Sequence, residues 1–380
     1  GAGSLVVVGV GTPSAPVLEG SLVGSLDGAA GVAYDASTDR VLVACGVADS
    51  LAVVDVSDSS SPSLLGSVAD SLQLNGAAGV AFDATAQRAY VVSADGDSLT
   101  VVDVSDPTSP SVLGTLAASS LAGAVSVVYD ASTQRVFVAS PGASVLAVVD
   151  VSDAAQPTLA GTFTDALNLD GAIGVFYDAP TRRAIVAAGR AASVGVVCVP
   201  NELPAECGRA LALVGAGEDA TSLAGARGVV YDAATQLAFI ASAGANTVSV
   251  VNLSDPSAPV VLGVVDDDAA LNGAAGVAFD AASQLVFVAV AGGGALTVVD
   301  VSDRSAPSVL GTLAHASLAG ASSVAHDGAT QRVFVACTGA GSLVVVGVGT
   351  PSAPVLEGSL VGSLDGAAGV AYDASTDRVL

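Results

Sequence analysis

One phrase returns eight times along the chain: a small apolar step, an aromatic residue and an aspartate. Its aspartates are Asp35, Asp83, Asp130, Asp178, Asp232, Asp280, Asp327 and Asp373, spaced 46 to 54 residues apart. The aromatic slot holds Tyr or Phe in every copy but one, where it holds His326. A fixed period of this length means one supersecondary unit repeated, each unit burying its apolar faces against the next. A longer period lies on top of it. Residues 1–42 recur letter for letter as 339–380, so that seven different units precede the return to the first.

Each unit carries four short apolar runs separated by turn residues. In one copy, 126–129 reads as a strand, 130–134 as a tight turn, 135–139 as a second strand, 145–151 as a third and 157–159 as the start of a fourth. Runs rich in Val, Phe and Tyr, bounded by Gly, Pro, Asp and Ser, are the signal of hairpins. No window shows a helical period. Many runs are apolar on both faces, as in 5–8, whereas a sheet with one wet face alternates. Radially stacked sheets cover both faces, which accounts for a mean hydropathy of +0.69. No stretch of 18 residues is free of polar and turn residues, which argues against membrane insertion.

The predicted fold is therefore all-β: a β-propeller of four-stranded antiparallel blades, seven blades per 338-residue period. The strand at each Gly-Val-Ala step, such as 31–34, is expected innermost, because only small residues fit near the axis. Residues 1–338 would close by a two-plus-two strand seam, with 323–337 supplying the inner strands missing at the start. Residues 339–380 would begin a next unit or form an eighth blade; eight blades in one ring is the alternative. The identity of the two 42-residue stretches suggests an array of near-identical units, and the absence of Met suggests a piece of something larger.

Residues 99–107 (LTVVDVSDP) resemble the LVIVD repeat of bacterial and archaeal surface proteins. The inner strands, such as 31–45, resemble the related YVTN and NHL propeller repeats. The resemblance runs blade by blade over almost the whole chain. It implies an extracytoplasmic, non-enzymatic scaffold. One blade departs from it: at 194–209 the DVSDP turn gives way to CVPNELPAECG.

The chain has 36 acidic residues against 11 basic ones, a net charge of −25, which excludes nucleic acid and anionic lipid as partners. The charge keeps an apolar chain soluble. Cys198 and Cys207 bracket the inserted hairpin and are expected to form a disulfide, placing the protein in an oxidising compartment, outside the cell or at its surface. Cys45 and Cys337 occupy equivalent positions in two blades and are expected to be free buried thiols. Asn252 opens an Asn-Leu-Ser sequon at an outer turn, a candidate N-glycosylation site. Outer turns rich in Ser, Thr and Pro suit turn chemistry and also offer O-glycan attachment.

Little in the sequence points to catalysis. The two histidines, His315 and His326, have no partner spacing, and His326 reads as an aromatic substitute in the core. The blade aspartates are followed five residues later by Arg in six of eight copies, a spacing for a turn cap or an ion pair across a hairpin. The acid run Asp266, Asp267, Asp268 is a weak candidate calcium site; no other metal site and no cofactor is expected. Asp27, Asn75, Ala122, Asp170, Ala224, Asn272 and Ala319 would ring one mouth of the channel. Metal-dependent lactonases on propellers converge acidic and amide side chains there, but three of these seven positions are Ala. Gly292–Gly294 reads as a hairpin turn, not a phosphate cradle. The expected function is a non-catalytic structural module of an extracellular fibre or surface array, with copies of itself and glycans as partners. The alternative is a propeller that binds a protein or glycan, with 194–209 as the contact.

Overall fold

Each repeat folds as a meander, because tight turns between short apolar runs leave antiparallel pairing as the nearest way to satisfy the backbone. Blade 3 is representative. Its strands a to d are Ser126–Asp130, Arg135–Ser140, Val145–Asp150 and Thr158–Thr164, hydrogen-bonded in that order. The computed structural model describes residues 4–9, 17–23, 26–35, 37–58, 60–199, 212–361, 370, 372–373 and 378–379. Within these, seven sheets are built from four consecutive strands: blade 1 at 29–69, blade 2 at 77–117, blade 3 at 126–164, blade 4 at 172–218, blade 5 at 226–266, blade 6 at 274–314 and blade 7 at 321–361. Two single-turn 3-10 segments, Ser119–Leu121 and Ala316–Leu318, are the helical elements among the described residues.

The turns are held by residues in the left-handed region. Gln87, Gln134, Arg182 and Gln236 precede strand b with φ between 51° and 57°. Asp49, Asp97, Ser144 and Asn246 do the same before strand c, with φ between 48° and 57°. Such positions usually favour Gly or Asn. Here the tight hairpin on both sides fixes the backbone regardless of residue type.

Strands b and c form the core and are buried on both faces. In blade 3, Val136 to Ala139 and Leu146 to Val149 are each at most 1% exposed. The two-residue period of a strand sends alternate side chains to opposite neighbours. Val136, Val138, Ala147 and Val149 pack with Tyr90, Val92, Leu99 and Val101 of blade 2. Phe137, Ala139, Leu146 and Val148 pack with Ala184, Val186 and Val197 of blade 4. This is why a non-alternating apolar run makes a stable strand here.

Strands a of neighbouring blades touch one another and lie innermost, as expected. The close approach demands a residue with almost no side chain. A Cβ on Gly31 would stand 2.6 Å from the Ala78 carbonyl oxygen, and one on Gly79 would stand 2.7 Å from that of Val125. The same slot is Gly174, Gly228 and Gly276 in other blades and Ser126 or Ser323 in two. Strand d carries a bulge opposite strand c in every described pair, as between Val148 and Val149. The glycine beside it receives the c–d turn of the next blade: a Cβ on Gly66 would lie 2.7 Å from the Pro107 oxygen.

Aromatic side chains stitch blades together. Tyr90 stacks on Tyr129 with centroids 4.6 Å apart, Phe137 on Tyr177 at 4.0 Å and Phe239 on Phe279 at 4.4 Å. His326 takes the aromatic place as expected, stacked on Phe287 at 4.4 Å.

The closure differs from the seven-blade seam. Strands a and b of blade 7, Ala321–Asp327 and Arg332–Cys337, do not pair with the first strands of the chain. They pair with the strands that follow them, Ser342–Gly347 and Val355–Val361. The N-terminal strands Ser4–Gly9 and Val17–Val23 instead join Arg378–Val379 and Tyr372–Asp373 in an eighth, composite sheet. This sheet touches blade 7 on one side, and its Leu5 and Leu22 pack with the blade 1 core on the other, so eight sheets close the ring. Seven complete blades thus stand as expected, and the second copy of the repeated segment supplies two strands of the composite sheet. The physical reason is proximity. Cys337 and Ser342 are joined by a four-residue turn, and local hairpin closure costs far less entropy than recruiting a strand from the other end of the chain.

Candidate interaction face

The meander gives the ring two unlike ends. One end carries the a–b and c–d turns. The other carries the b–c turns and the connections from strand d to the next blade.

On the first end the repeated acids are occupied by local hydrogen bonds. The Asp35 carboxylate accepts from the Ser37 amide at 3.0 Å, the Ser37 hydroxyl at 2.6 Å and the Thr38 hydroxyl at 2.7 Å. Asp130 accepts in the same way from Ser132 and Thr133. Burial works against ionisation of Asp130, but the hydrogen bonds from Thr133 and Ser132 outweigh it and hold its pKa below the ordinary value. Tyr129 adds a bond between blades, its hydroxyl donating to Asp83 at 2.8 Å. The c–d turns repeat the device: Asp106 accepts from the Thr108 amide and hydroxyl, and Asp303 from those of Ser305.

The arginines that follow the turn aspartates find further company. Across the b–c ladder, Arg40 faces Asp55, Arg88 faces Asp103 and Arg135 faces Asp150. Each arginine contributes to lowering the pKa of the aspartate opposite, behind the stronger effect of that aspartate's own turn hydrogen bonds. Where Gly347 replaces this aspartate, Glu357 steps in from strand d and pairs with Arg332 at 3.3 Å. The turn aspartates act as caps, and each arginine stands between two aspartates, as Arg135 does between Asp130 on strand a and Asp150 on strand c.

The second end is varied. The connection residues expected at a channel mouth do lie here, but each is engaged through its carbonyl: the Asp27, Asn75, Ala122 and Ala319 oxygens accept from Ala48, Gly96, Gly142 and Ala340 amides. Side chains in the b–c turns reach the next blade. Asp49 accepts from the Gly76 amide, Asp97 from Gly123 and Asn246 from Gly273, each at 2.9 to 3.0 Å. Gly292–Gly294 forms one of these hairpin turns. The three most exposed large apolar side chains among the described residues lie on this end: Val47 at 70%, Leu72 at 83% and Leu167 at 80%. Leu72 and Leu167 ride connections whose shape Asp70 and Asp165 fix by capping the amides that follow.

The remaining predicted residues fall as follows. Asp267 accepts from the Ala269 and Ala270 amides, Asp268 accepts from the Asn246 side chain, and Asp266 ends strand d of blade 5. The three carboxylates thus diverge. Among the described residues no group of three His, Cys, Asp or Glu side chains could hold a metal ion. Asn252 ends strand c of blade 5, half-buried, and its side-chain oxygen accepts from the Ser254 amide. Cys198 ends strand c of blade 4 and is disulfide-bonded. Cys207 lies outside the described residues, as does the stretch 200–211 of the divergent connection. Cys45 and Cys337 are free and buried, and burial pushes their thiols up to about 11. His315 is a cap whose Nδ1 accepts from the Ser317 amide at 3.1 Å.

Comparison with known proteins agrees with this geometry. No curated protein matches the chain. Among solved structures, Sqt1 of Saccharomyces cerevisiae superposes with a TM-score of 0.72 at 9% identity, covering 93% of this chain and 95% of that one. The C-terminal WD40 domain of Sif2 gives 0.67 at 12% identity, covering 93% and 92%. A Bacteroides fragilis protein provisionally assigned as a 6-phosphogluconolactonase gives 0.64 at 9% identity, covering 97% of each. These likenesses are of fold. The family model for the LVIVD repeat matches residues 45–70, 86–117, 136–165 and 285–314, so the chain is a β-propeller that carries LVIVD repeats in blades 1, 2, 3 and 6.

Proposed function

We propose that the protein is a non-catalytic interaction scaffold of the cell exterior, presenting the varied end of its ring to a protein or glycan. The contrast between the two ends carries this reading. On one end the recurring acids cap their own turns; on the other, Val47, Leu72 and Leu167 stand in water beside turns that differ from blade to blade. Diversified loops on a rigid repeated frame are where recognition is placed. The lactonase among the structural relatives marks catalysis as the competing reading. It finds little support in a channel mouth where three of the seven connection residues, Ala122, Ala224 and Ala319, carry no functional group. Photo-crosslinkers placed at Leu72 and Leu167 in the native host should capture a common partner, and those at Val260 and Val355 should not. Equal capture at all four positions, or lactone hydrolysis by the purified protein with divalent cations, would overturn the proposal.

The exterior location rests on Cys198, whose bonded state suits an oxidising compartment. We propose Cys207 as its partner, and Asn252 as a glycan acceptor. Mass spectrometry of the secreted chain should find one intramolecular disulfide and a glycan at Asn252. A fully reduced chain from its native source would remove the argument for location.

A second reading, a unit of a fibre or surface array built from copies of the same chain, is favoured by the identity of 1–42 and 339–380. Electron microscopy of native material would then show beads at a constant spacing.

A further inference from the structure

The repeat supplies its own control for unusual residues. Just before the Gly or Ser slot of strand a the blades carry Ala30, Ala78, Val125, Ile173, Ala275 and Ser322, but Arg227 in blade 5. The second position of the b–c turn is Val47, Asp95, Gly142, Gly244, Gly292 and Gly339, but Arg190 in blade 4. Two of the chain's 11 basic residues thus break the pattern at different positions of adjacent blades. Both line the same cavity of about 210 Å³, where the innermost strands of blades 4 and 5 begin, together with Ile173 and Pro141. Their independent departures from the repeat converge on one place.

We propose that this cavity binds a small organic carboxylate, gripped by Arg190 and Arg227, with its apolar stem laid against Ile173 and Pro141. Both guanidinium groups are available. Arg227 is exposed and has no ion-pair partner among the described residues. The Arg190 side chain is 71% exposed and only loosely paired with Asp170, at 3.7 Å. Asp170 is shared with the Ser144 hydroxyl at 3.2 Å. Asp170 offsets part of the positive charge of the two arginines, which suits a monoanion better than a more highly charged ligand. A guanidinium fork fits the two oxygens of a carboxylate. A multiply charged phosphate would gain less from this partly offset charge and meet more repulsion from a chain of net charge −25. The volume is below the roughly 300–1,000 Å³ of drug-sized sites, so the ligand is a fragment rather than a large cofactor. The exposed Ile173 and the Pro141 ring give such a fragment an apolar wall.

The test is calorimetric titration of the full chain with benzoate and hexanoate, benzamide as the neutral counterpart of benzoate, and inorganic phosphate as comparator. Arg190→Gly and Arg227→Ala install residues that other blades carry at the same positions, so the fold tolerates them. Arg304→Ala, at a c–d turn on the far end of blade 6, serves as control. Saturable carboxylate binding is expected, at least about tenfold weaker in either cavity variant and unchanged in the control. Benzamide should not bind. The proposal is overturned by the absence of saturable binding of both carboxylates, by equal binding of benzamide, by tighter binding of phosphate, or by full affinity in both cavity variants. None of these outcomes touches the macromolecular scaffold reading, which is tested on Leu72 and Leu167.

Discussion

A single oxygen separates Tyr129 from the phenylalanines that fill its slot in other blades, and it joins blade 3 to blade 2 through Asp83. Tyr129→Phe should leave the ring stack on Tyr90 in place and lose this charge-assisted bond together with the hydroxyl's hydrogen bond with Tyr90. The expected cost is about 1–2 kcal/mol, read from urea unfolding. Carboxylate capping also sets the acid limit of stability. Asp219 accepts from the Thr221 hydroxyl and amide and from Ser222, and these bonds lower its pKa to about 2. A folded-state value below that of the unfolded chain contributes stability above the unfolded value of roughly 3.9, and loses it as pH falls toward the folded one. Asp219→Ala should therefore cost about 1 kcal/mol at neutral pH, with the difference from the parent chain fading between about pH 4 and pH 2. His326 works in the opposite sense. Desolvation lowers its pKa against the pull of Asp280, and its Nε2 is buried with no hydrogen-bond partner among the described residues. The unfolded chain takes the proton more readily, so this residue withdraws stability as pH drops below about 6.5. The sequence disclosed His326 as an aromatic substitute because its slot repeats. It could not disclose the strand c partners of Arg40 and Arg88, because the turn aspartate and the cross-strand aspartate both lie within reach.

Strands in this molecule are specified by what lies on both sides. A run such as Val136 to Ala139 was legible as a doubly buried strand because it does not alternate. The innermost position of strand a followed from its small residues. The strength of that requirement follows only from packing, since the atom nearest to a Cβ on Gly79 is the Val125 backbone oxygen of the next blade, which cannot turn away as a side chain could. Gly79→Ala should cost about 1–3 kcal/mol, and Gly79→Ser less than a larger residue would, because Ser126 and Ser323 occupy the same slot elsewhere. Unfolding midpoints at constant m-value would check this ordering. The bulge of strand d was not foreseen. Its glycine reads as an ordinary turn residue until the proline turn of the neighbouring blade is seen resting on it.

At the scale of the ring, closure depends on a composite sheet in which Val8 and Gly9 pair with Val379 and Arg378. Removing 371–380 should bare the edge of Ser4–Gly9 and leave the inner half of that sheet empty. Self-association on size exclusion and a lower Tm are expected, because an unpaired edge seeks another strand. An unchanged monomer of unchanged Tm would show that the seam contributes little. Net charge acts on the same scale: with 36 acids against 11 bases, added salt should raise Tm by screening self-repulsion. The amino-acid sequence by itself determined the blade, the class of fold and the stacking of sheets, since these follow from local hydrophobic pattern and turn chemistry repeated at a constant interval. Only the tertiary structure decided how the ring closes, which carboxylates are free and where Arg190 and Arg227 meet. Residues 1–42 and 339–380 are the same letters, so no pattern within them could choose their partners; the choice fell to chain connectivity and to neighbours brought close by the fold.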